Sequence, residues 1–515
     1  MKHHSKFKLS IVVIVGLLAV GVLLFSVRGT SAAPSGISFN VNSTTDAVDD
    51  NPGNDICHTA AGTCTLRAAI MEANLSIADV TIEVPGGVYL LSIPPISTTD
   101  TITNGDLNLM PPPSGNPIIF INGAGLNKTI VDGNHLDRVF NVSAGRSVII
   151  NNLTMRNGAV PLYQNGGGLA NEGEVVLNAV RVFNNSAAGG LGGGGLYNDH
   201  LMTVNDSLID GNVTPSTYGG GVANDFGGSL HVNNSIIFNN RAPDGVGGGL
   251  YDTSGQALSS IISTTAVYSN YAFGGGGLAR ARIAGGPMLV DSSAIYSNTA
   301  WGWYGGGIDV GFFDGGDLHV INSTISGNSA HRDGGGIVLE SSNSHVTLHN
   351  DTIAYNHAGD TANYLGKGGG IASLSTAVFT SQYTLMAWNT DVYTTHLGSF
   401  VITLTEGNEC YGSFGYERDD IMAQYDTTRC HPTSLVFHGD PKIDVLRDNG
   451  GPTWTHALIK GSPAIDQGQY CTDLLGYPLW KDQRGFWRFT DTFCDVGAYE
   501  YPDNWIYLPL TLKSS

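Results

Sequence analysis

The residues of this chain that could do chemistry are few and dispersed. Asp309, Asp314 and Asp317 are the densest group of carboxyls in its central part. Two carboxyls flanking a glycosidic bond perform hydrolysis, one as acid and the other as base or nucleophile. Lyase chemistry would need an Arg or Lys base beside calcium-binding carboxylates. The central cations (Arg156, Arg181, Arg241, Arg280, Arg282, Arg332 and Lys367) look scattered, and no Asp/Arg set is evident at one position of neighbouring units. The pairs Asp49-Asp50 and Asp419-Asp420 lie in flanking segments, where turn formation accounts for them. No catalytic set is assigned; the Asp309, Asp314 and Asp317 trio supplies the best acid candidates.

Binding chemistry is better represented. Trp301, Trp303 and Tyr304, followed by Phe312 and Phe313, gather aromatic rings beside one glycine run. Exposed rings stack on sugar faces and anchor partners, so these five are the candidate ligand-binding residues. The plainer alternative is a loop that folds its rings back onto the core. Asp46, Asp49, Asp50, Asn54 and Asp55 cluster oxygens of the kind that hold calcium. The spacing is not that of an EF-hand, because Gly53 is out of register and no Glu stands at the twelfth position. An Asx-rich turn therefore competes with a structural calcium ion, and no other cofactor is implied. Near the C-terminus, Asp466, Asp482, Arg484, Asp495 and Glu500 could form an active centre. The simpler reading is an Arg held by carboxylates inside a cap. No nucleotide loop, metal-binding His pair or nucleophile with a base stands at readable spacing.

What positions these residues is a repeat. Three glycines precede Leu169, Leu196, Val222, Leu250, Leu278, Ile308, Ile337 and Ile371, one unit per ~29 residues. An independent asparagine series has the same period: Asn157, Asn185, Asn212, Asn240, Asn270, Asn298, Asn328, Asn356 and Asn389. Eight residues before each Asn stands an aliphatic (Ile149, Leu177, Val204, Val232, Ile262, Val290, Val320, Leu348), with Ser381 the exception. Three before it stands another, from Val182 to Met386, and a polar pair such as Asp206-Ser207 lies between. Each unit reads as short strand, polar corner, short strand, Asn turn, Gly turn, short strand. Three strands in ~29 residues is the coil of a single-stranded right-handed parallel β-helix, stacking at ~4.8 Å. The Asn series, Asn185 to Asn356 at its most regular, is then a stacked ladder, and Gly supplies positive φ at the corners. Leucine-rich and helical repeats lack support, since neither their leucine spacing nor a 3.6 period occurs.

Composition and termini set the compartment. The 515 residues include 70 Gly, only 13% are charged, and the net charge is −20. So acidic a surface suits neither nucleic acid nor anionic membrane. Met1–Lys8 is basic, Leu9–Phe25 apolar, and small residues surround Ala32. That is a secretory signal, cleaved after Ala32, or an uncleaved N-terminal anchor, the one expected membrane contact. Either way the chain is exported, to be secreted or held at the cell surface. Six Cys allow 15 connectivities; proximity favours Cys57–Cys64, Cys410–Cys430 and Cys471–Cys494, and export favours disulfides over thiolate metal sites. All six flank the repeat.

A solenoid needs its open ends capped. In 64–74, Cys-Thr-Leu-Arg-Ala-Ala-Ile-Met-Glu-Ala-Asn, the residues Leu66, Ala69, Ile70 and Ala73 share one helical face, as a cap helix would. This segment resembles the CSLREA motif of secreted bacterial β-helix proteins, with Thr65 and Ala68 in place of Ser and Glu. Asp106-Leu-Asn-Leu and Ile121-Asn-Gly-Ala-Gly are similar to the blocks that come next in that family. The blocks Asp448-Asn-Gly-Gly-Pro, Gly461-Ser-Pro-Ala-Ile-Asp, Asp482-Gln-Arg-Gly and Cys494-Asp-Val-Gly-Ala-Tyr-Glu resemble the choice-of-anchor Q domain, which implies a surface-anchoring context. The repeat itself, over roughly 140–390, resembles polymorphic outer-membrane-protein repeats, with Gly where those usually carry Ala. The tail Ile506–Ser515 only half-resembles a sortase signal, since Leu512 replaces the required Gly.

The expected organisation is a signal or anchor (1–33), an N-terminal cap (34–110), the β-helix (111–400), a C-terminal cap (401–500) and a tail (501–515). The expected protein is a monomer with a structural, adhesive or glycan-binding role. Its expected partner is an extracellular polysaccharide or cell-surface component. The alternative is a polysaccharide lyase or glycoside hydrolase, which a row of acids and a base on adjacent coils would favour.

Overall fold

The computed structural model describes residues 36–502, apart from 97–100, 161–162, 256–259, 282–284, 314, 362–363, 398–399, 419, 424–428, 432–436, 469–470 and 489–492. The expected export signal, Asp314 and the sortase-like tail lie outside the described residues.

Strand formation follows from alternation. In Leu201–Asn205, Met202 and Val204 point inward while Leu201, Thr203 and Asn205 are half-exposed. That is the period-2 pattern of a strand buried on one side. Each such strand pairs in parallel with its counterpart one unit on: Met202 lies opposite Leu230 and Val204 opposite Val232. The chain therefore coils, and its strands stack on three faces. The first face carries two short strands per coil across a bend, such as Leu196–Asn198 and Leu201–Asn205. The second carries Leu208–Asp210 and its equivalents, and the third short strands such as Thr299–Ala300 and Ser329–Ala330. Inward columns run unbroken: Leu177, Val204, Val232, Ile262, Val290, Val320 and Leu348 on the first face, Val182 to Met386 on the second. Each fully buried Leu, Ile or Val contributes about 1.5–3 kcal/mol of burial.

The stack is longer than its Gly and Asn signature. Ile37–Asn40 pairs with Val80–Val84, which pairs with Ile118–Gly123. The second-face sheet runs from Gly87–Leu90 to Phe437–His438. Its thirteen strands make a rod about 58 Å long at ~4.8 Å per coil. The outermost coils keep the inward alternation (Val80, Ile82, Val84) but not the corner residues that made the central units legible.

The corners show why Asn and Gly recur. Asn240 donates its backbone N–H and one side-chain N–H to Oδ1 of Asn270, at 3.0 and 3.1 Å, and the other side-chain N–H to the Ile209 carbonyl at 2.9 Å. The same pattern joins Asn185, Asn212, Asn240, Asn270, Asn298, Asn328, Asn356 and Asn389, and it closes on the buried Glu409. Each amide of the ladder is thereby satisfied. Asn157 is not a member, contrary to the sequence reading. Gly158 takes the ladder position and donates to Asn185, while Asn157, at φ 55°, stacks on Asn184 one column earlier. The same one-residue offset puts Ile150, not Ile149, in the core.

A second internal ladder links Ser207, Ser235, Thr265, Ser293, Ser323 and Asp351, each accepting from the backbone N–H of the previous coil. The glycine triplet does two jobs. Gly193 has φ +71°, which only Gly adopts without strain. Gly195 does not; a Cβ there would lie 2.7 Å from the Gly221 carbonyl and 3.0 Å from the Asn212 amide. Gly at that position makes room for the asparagine ladder. Positive φ alone therefore does not account for the triplet.

At the N-terminal end, helix α1 (Leu66–Leu75) is capped by Thr65, whose hydroxyl accepts from the Ala68 N–H. It is buried all round rather than on one face. Arg67 reaches Asp46 at 2.6 Å and the carbonyls of Ile102, Gly105 and Asp106, and Glu72 accepts from Gly53 and Asp55. The three expected disulfides join Cys57–Cys64, Cys410–Cys430 and Cys471–Cys494. Residues 440–501 do not stack on the last coil. They lean along the second face, where Arg488 donates to Asn322, Thr324 to Gln483 and Ala498 to Thr352.

Candidate ligand-binding surface

The 301–313 rings fold onto one another and onto earlier coils. Trp301 lies parallel to Tyr271 at 6.4 Å and edge-on to Phe273, and its indole N–H donates to the Pro243 carbonyl at 2.7 Å. The series continues through Phe273–Trp303, Trp303–Tyr304, Trp303–Phe312, Phe312–Phe313 and Phe313–Tyr218 to Tyr251. Arg332 adds a hydrogen bond to the Tyr304 hydroxyl. The rings are positioned by coil stacking: the strands holding Tyr271 and Thr299 pair directly, which brings Trp301 to Tyr271. The packing is incomplete, however. Trp301 is 40% exposed, Trp303 37% and Phe313 52%, while Tyr304 and Phe312 are half-buried. The rings thus brace each other, as the loop-folding reading expected, and still present faces to solvent.

The acid candidates separate. Asp309 sits on the strand Ile308–Val310, wholly buried, in a seat where a Cβ on Gly275 or Gly305 would approach its Cβ to 3.1 or 2.9 Å. Asp317 begins the next strand, half-exposed, and pairs with His345 at 3.0 Å. The partner Asp309 meets is one that sequence reasoning missed, Glu340 of the following coil. Burial, then the Glu340 charge, pushes Asp309 far above the usual carboxylate range, which favours its protonated form beside Glu340. Burial also raises Glu340, and the neighbouring Asp309 opposes that rise. Asp333, raised to about 6 by burial against the pull of Lys367 and Arg332, lies close by.

An Asp/Arg set on adjacent coils does exist, which corrects the sequence reading. Asp252 and Arg280 occupy matching register positions and form a fully buried ion pair at 2.9 Å. It ends a buried amide row from Asn171 through Asn198 and Asn224. The row's role is to satisfy buried polar atoms, since no atom of the pair faces solvent.

The candidate calcium ligands do not converge. Asp46 is bound by Arg67 and by the N–H groups of Ser92 and Ile93. Asp49 accepts from Asn51 and His58, Asp50 pairs with His58, and Asn54 caps Ile56. Asp55 takes φ 62°, as a turn residue does. Among the described residues no group of three or more metal-ligating side chains is assembled. In the C-terminal module, Arg484 is held by Asp482 at 2.6 Å and stacked on Tyr499, as the simpler reading expected. The fully buried Arg488, which that reading did not name, binds the carbonyls of Asp495 and Gly497 and the Glu500 carboxylate.

Fold and site together define a parallel β-helix bearing an aromatic surface beside its glycine turns. No protein-family model matches the chain, and no curated protein matches it by sequence. Among solved structures it is similar to the crystal structure of pectate lyase Pel9A, with a TM-score of 0.43 and 11% identity over 91% of this chain and 98% of that one. It is also similar to ORF18 of Geobacillus virus E2, with a TM-score of 0.30 and 10% identity over 84% and 66%. Neither likeness bears on chemistry.

Proposed function

We propose that this chain is an exported β-helix protein that binds a polysaccharide or a glycan-bearing surface component on its aromatic face. One observation carries the reading: Trp301, Trp303 and Phe313 are braced by neighbouring rings and remain over a third exposed on one side of the rod. Rings held rigid lose little entropy when a sugar stacks on them. Export is supported by three disulfides, which persist in oxidising compartments. Among the described residues no helix is long and apolar enough to cross a membrane. Surface attachment, which the choice-of-anchor Q resemblance implies, and a monomeric rod belong to the same proposal.

The Asp309–Glu340 pair favours a hydrolase as the second reading, because a carboxyl kept protonated by burial is how a general acid is prepared. Against it stands the complete burial of Asp309, which leaves no atom for a substrate to meet. The test is incubation of residues 34–515 with cellulose, chitin, xylan, polygalacturonate and alginate. Retention without new reducing ends or unsaturated products, lost in a Trp301→Ala/Trp303→Ala variant, is the expected result. Turnover that disappears in Glu340→Gln would replace this reading with the hydrolase.

A further inference from the structure

Where the C-terminal module leans on the solenoid, it leaves a groove of about 440 Å³. One wall is a polar corner of three successive coils: Thr264, then Asp291 and Ser292, then Asn322. The other wall is Pro452, Pro478, Leu479 and Trp480, with Lys481 to Gly485 at its base. This corner joins the first and second faces, whereas the aromatic surface lies beside the glycine turns between the third and first. The two therefore occupy different sides of the rod at the same coils.

We infer that this groove is a second saccharide-binding site, taking one or two sugar rings of a neutral polysaccharide chain. Its volume lies in the range of small-ligand pockets. Its walls divide the recognition as a sugar requires: Trp480, 57% exposed, offers a ring for the apolar sugar face, and the opposite corner offers hydroxyl and carboxyl groups. The coil stacking repeats those polar groups every ~4.8 Å, a ladder along which a chain of like sugars can lie. The exposed rings of Tyr477, Phe486 and Trp487 extend the aromatic side beyond the groove.

Charge selects the neutral class. Arg484 is spent on Asp482, which leaves Lys481, 5.6 Å from the Trp487 ring centroid, and Asp291 as one charge of each sign in the groove. A uronate would face that carboxyl without a free guanidinium. A peptide would find no open strand edge at this corner, where the backbone turns at Thr264, Ser292 and Asn322 with φ near +50°. Occupied together with the aromatic surface, the groove lets one protein bridge two polysaccharide chains.

The inference shares only its ligand class with the proposed function. The test is calorimetric titration of the mature chain with soluble β-1,4-linked oligosaccharides of glucose, xylose and N-acetylglucosamine, and with oligogalacturonate. Two sites are expected, one weakened about tenfold by Trp480→Ala and unchanged by Trp301→Ala/Trp303→Ala. Thr264→Tyr, which fills the groove from the solenoid side, should do the same. A bulky side chain is tolerated in that column, since Tyr383 occupies it at φ 54°, close to the φ 48° of Thr264. A single site abolished by Trp301→Ala/Trp303→Ala, or preference for oligogalacturonate in the groove, overturns the inference and leaves the first site standing. A single site lost in the groove variants and untouched by Trp301→Ala/Trp303→Ala would overturn the proposed function instead.

Discussion

The central coils and the C-terminal module solve the same problem of small cores in opposite ways. In the coils, stability is distributed. Each Asn of the ladder makes three similar bonds, each inward aliphatic touches its like above and below, and no disulfide lies between Cys64 and Cys410. In the module, little strand forms, and a few groups do most of the holding: Cys471–Cys494, Arg488 and Gln483. A repeat tolerates a weak unit because its neighbours supply the same contacts, whereas a unique fold depends on its nodes.

Predictions test that difference. Arg488→Met should cost the most, about 3–5 kcal/mol, because it strands Glu500 in a buried site and cuts the tie to Asn322. Hydrogen exchange should then show protection lost in 440–501 while the coils keep theirs; uniform loss would break the comparison. Replacing Cys471 and Cys494 together by Ser should cost about 3 kcal/mol, again confined to the module, as read by urea unfolding. Asn270→Ala should cost about 2–3 kcal/mol, since it leaves the Asn240 N–H groups without an acceptor. Here exchange should quicken only in the coils on either side.

The smallest effect concerns pH. Asp309 has a folded-state pKa well above its unfolded value, so the stability it contributes is complete below about pH 4 and is lost as pH rises through the folded value. Asp309→Asn keeps the size of the side chain and cannot ionise. It should raise the melting temperature at pH 8 and leave it nearly unchanged at pH 4. Equal shifts at both values would show that the proton on Asp309 contributes nothing.

How far the molecule was legible depended on repetition of residue type. Gly and Asn stand at fixed corners because geometry there admits little else, and so they mark the period. The column just before the ladder, which contains Asn184, Asn239, Ser269, Ser297, Tyr355 and Trp388 at positive φ, went unread, since its backbone is uniform while its side chains are not. Asn157 was misplaced for the same reason: an Asn is at home in either column. Asp252 and Arg280 were overlooked because their ion pair, 28 residues apart, is not repeated at the same position of the neighbouring coils. Glu340 stood outside the Asp309, Asp314 and Asp317 group in sequence and came to Asp309 only by stacking.

Sequence alone determined the coil length, the inward columns, the parallel stacking and the aromatic concentration at 301–313, and by proximity favoured the disulfide partners. All but the last two are set by contacts one coil away that recur many times, so the period exposes them; the disulfides and the rings are legible because their members lie close together in the chain. Tertiary structure decided which way the C-terminal module lies, that Asp309 is buried beside Glu340, and that a groove opens beside Trp480. These rest on encounters made once, such as Thr324 with Gln483 across 159 residues. A contact made once leaves no spacing in the sequence from which it could be read.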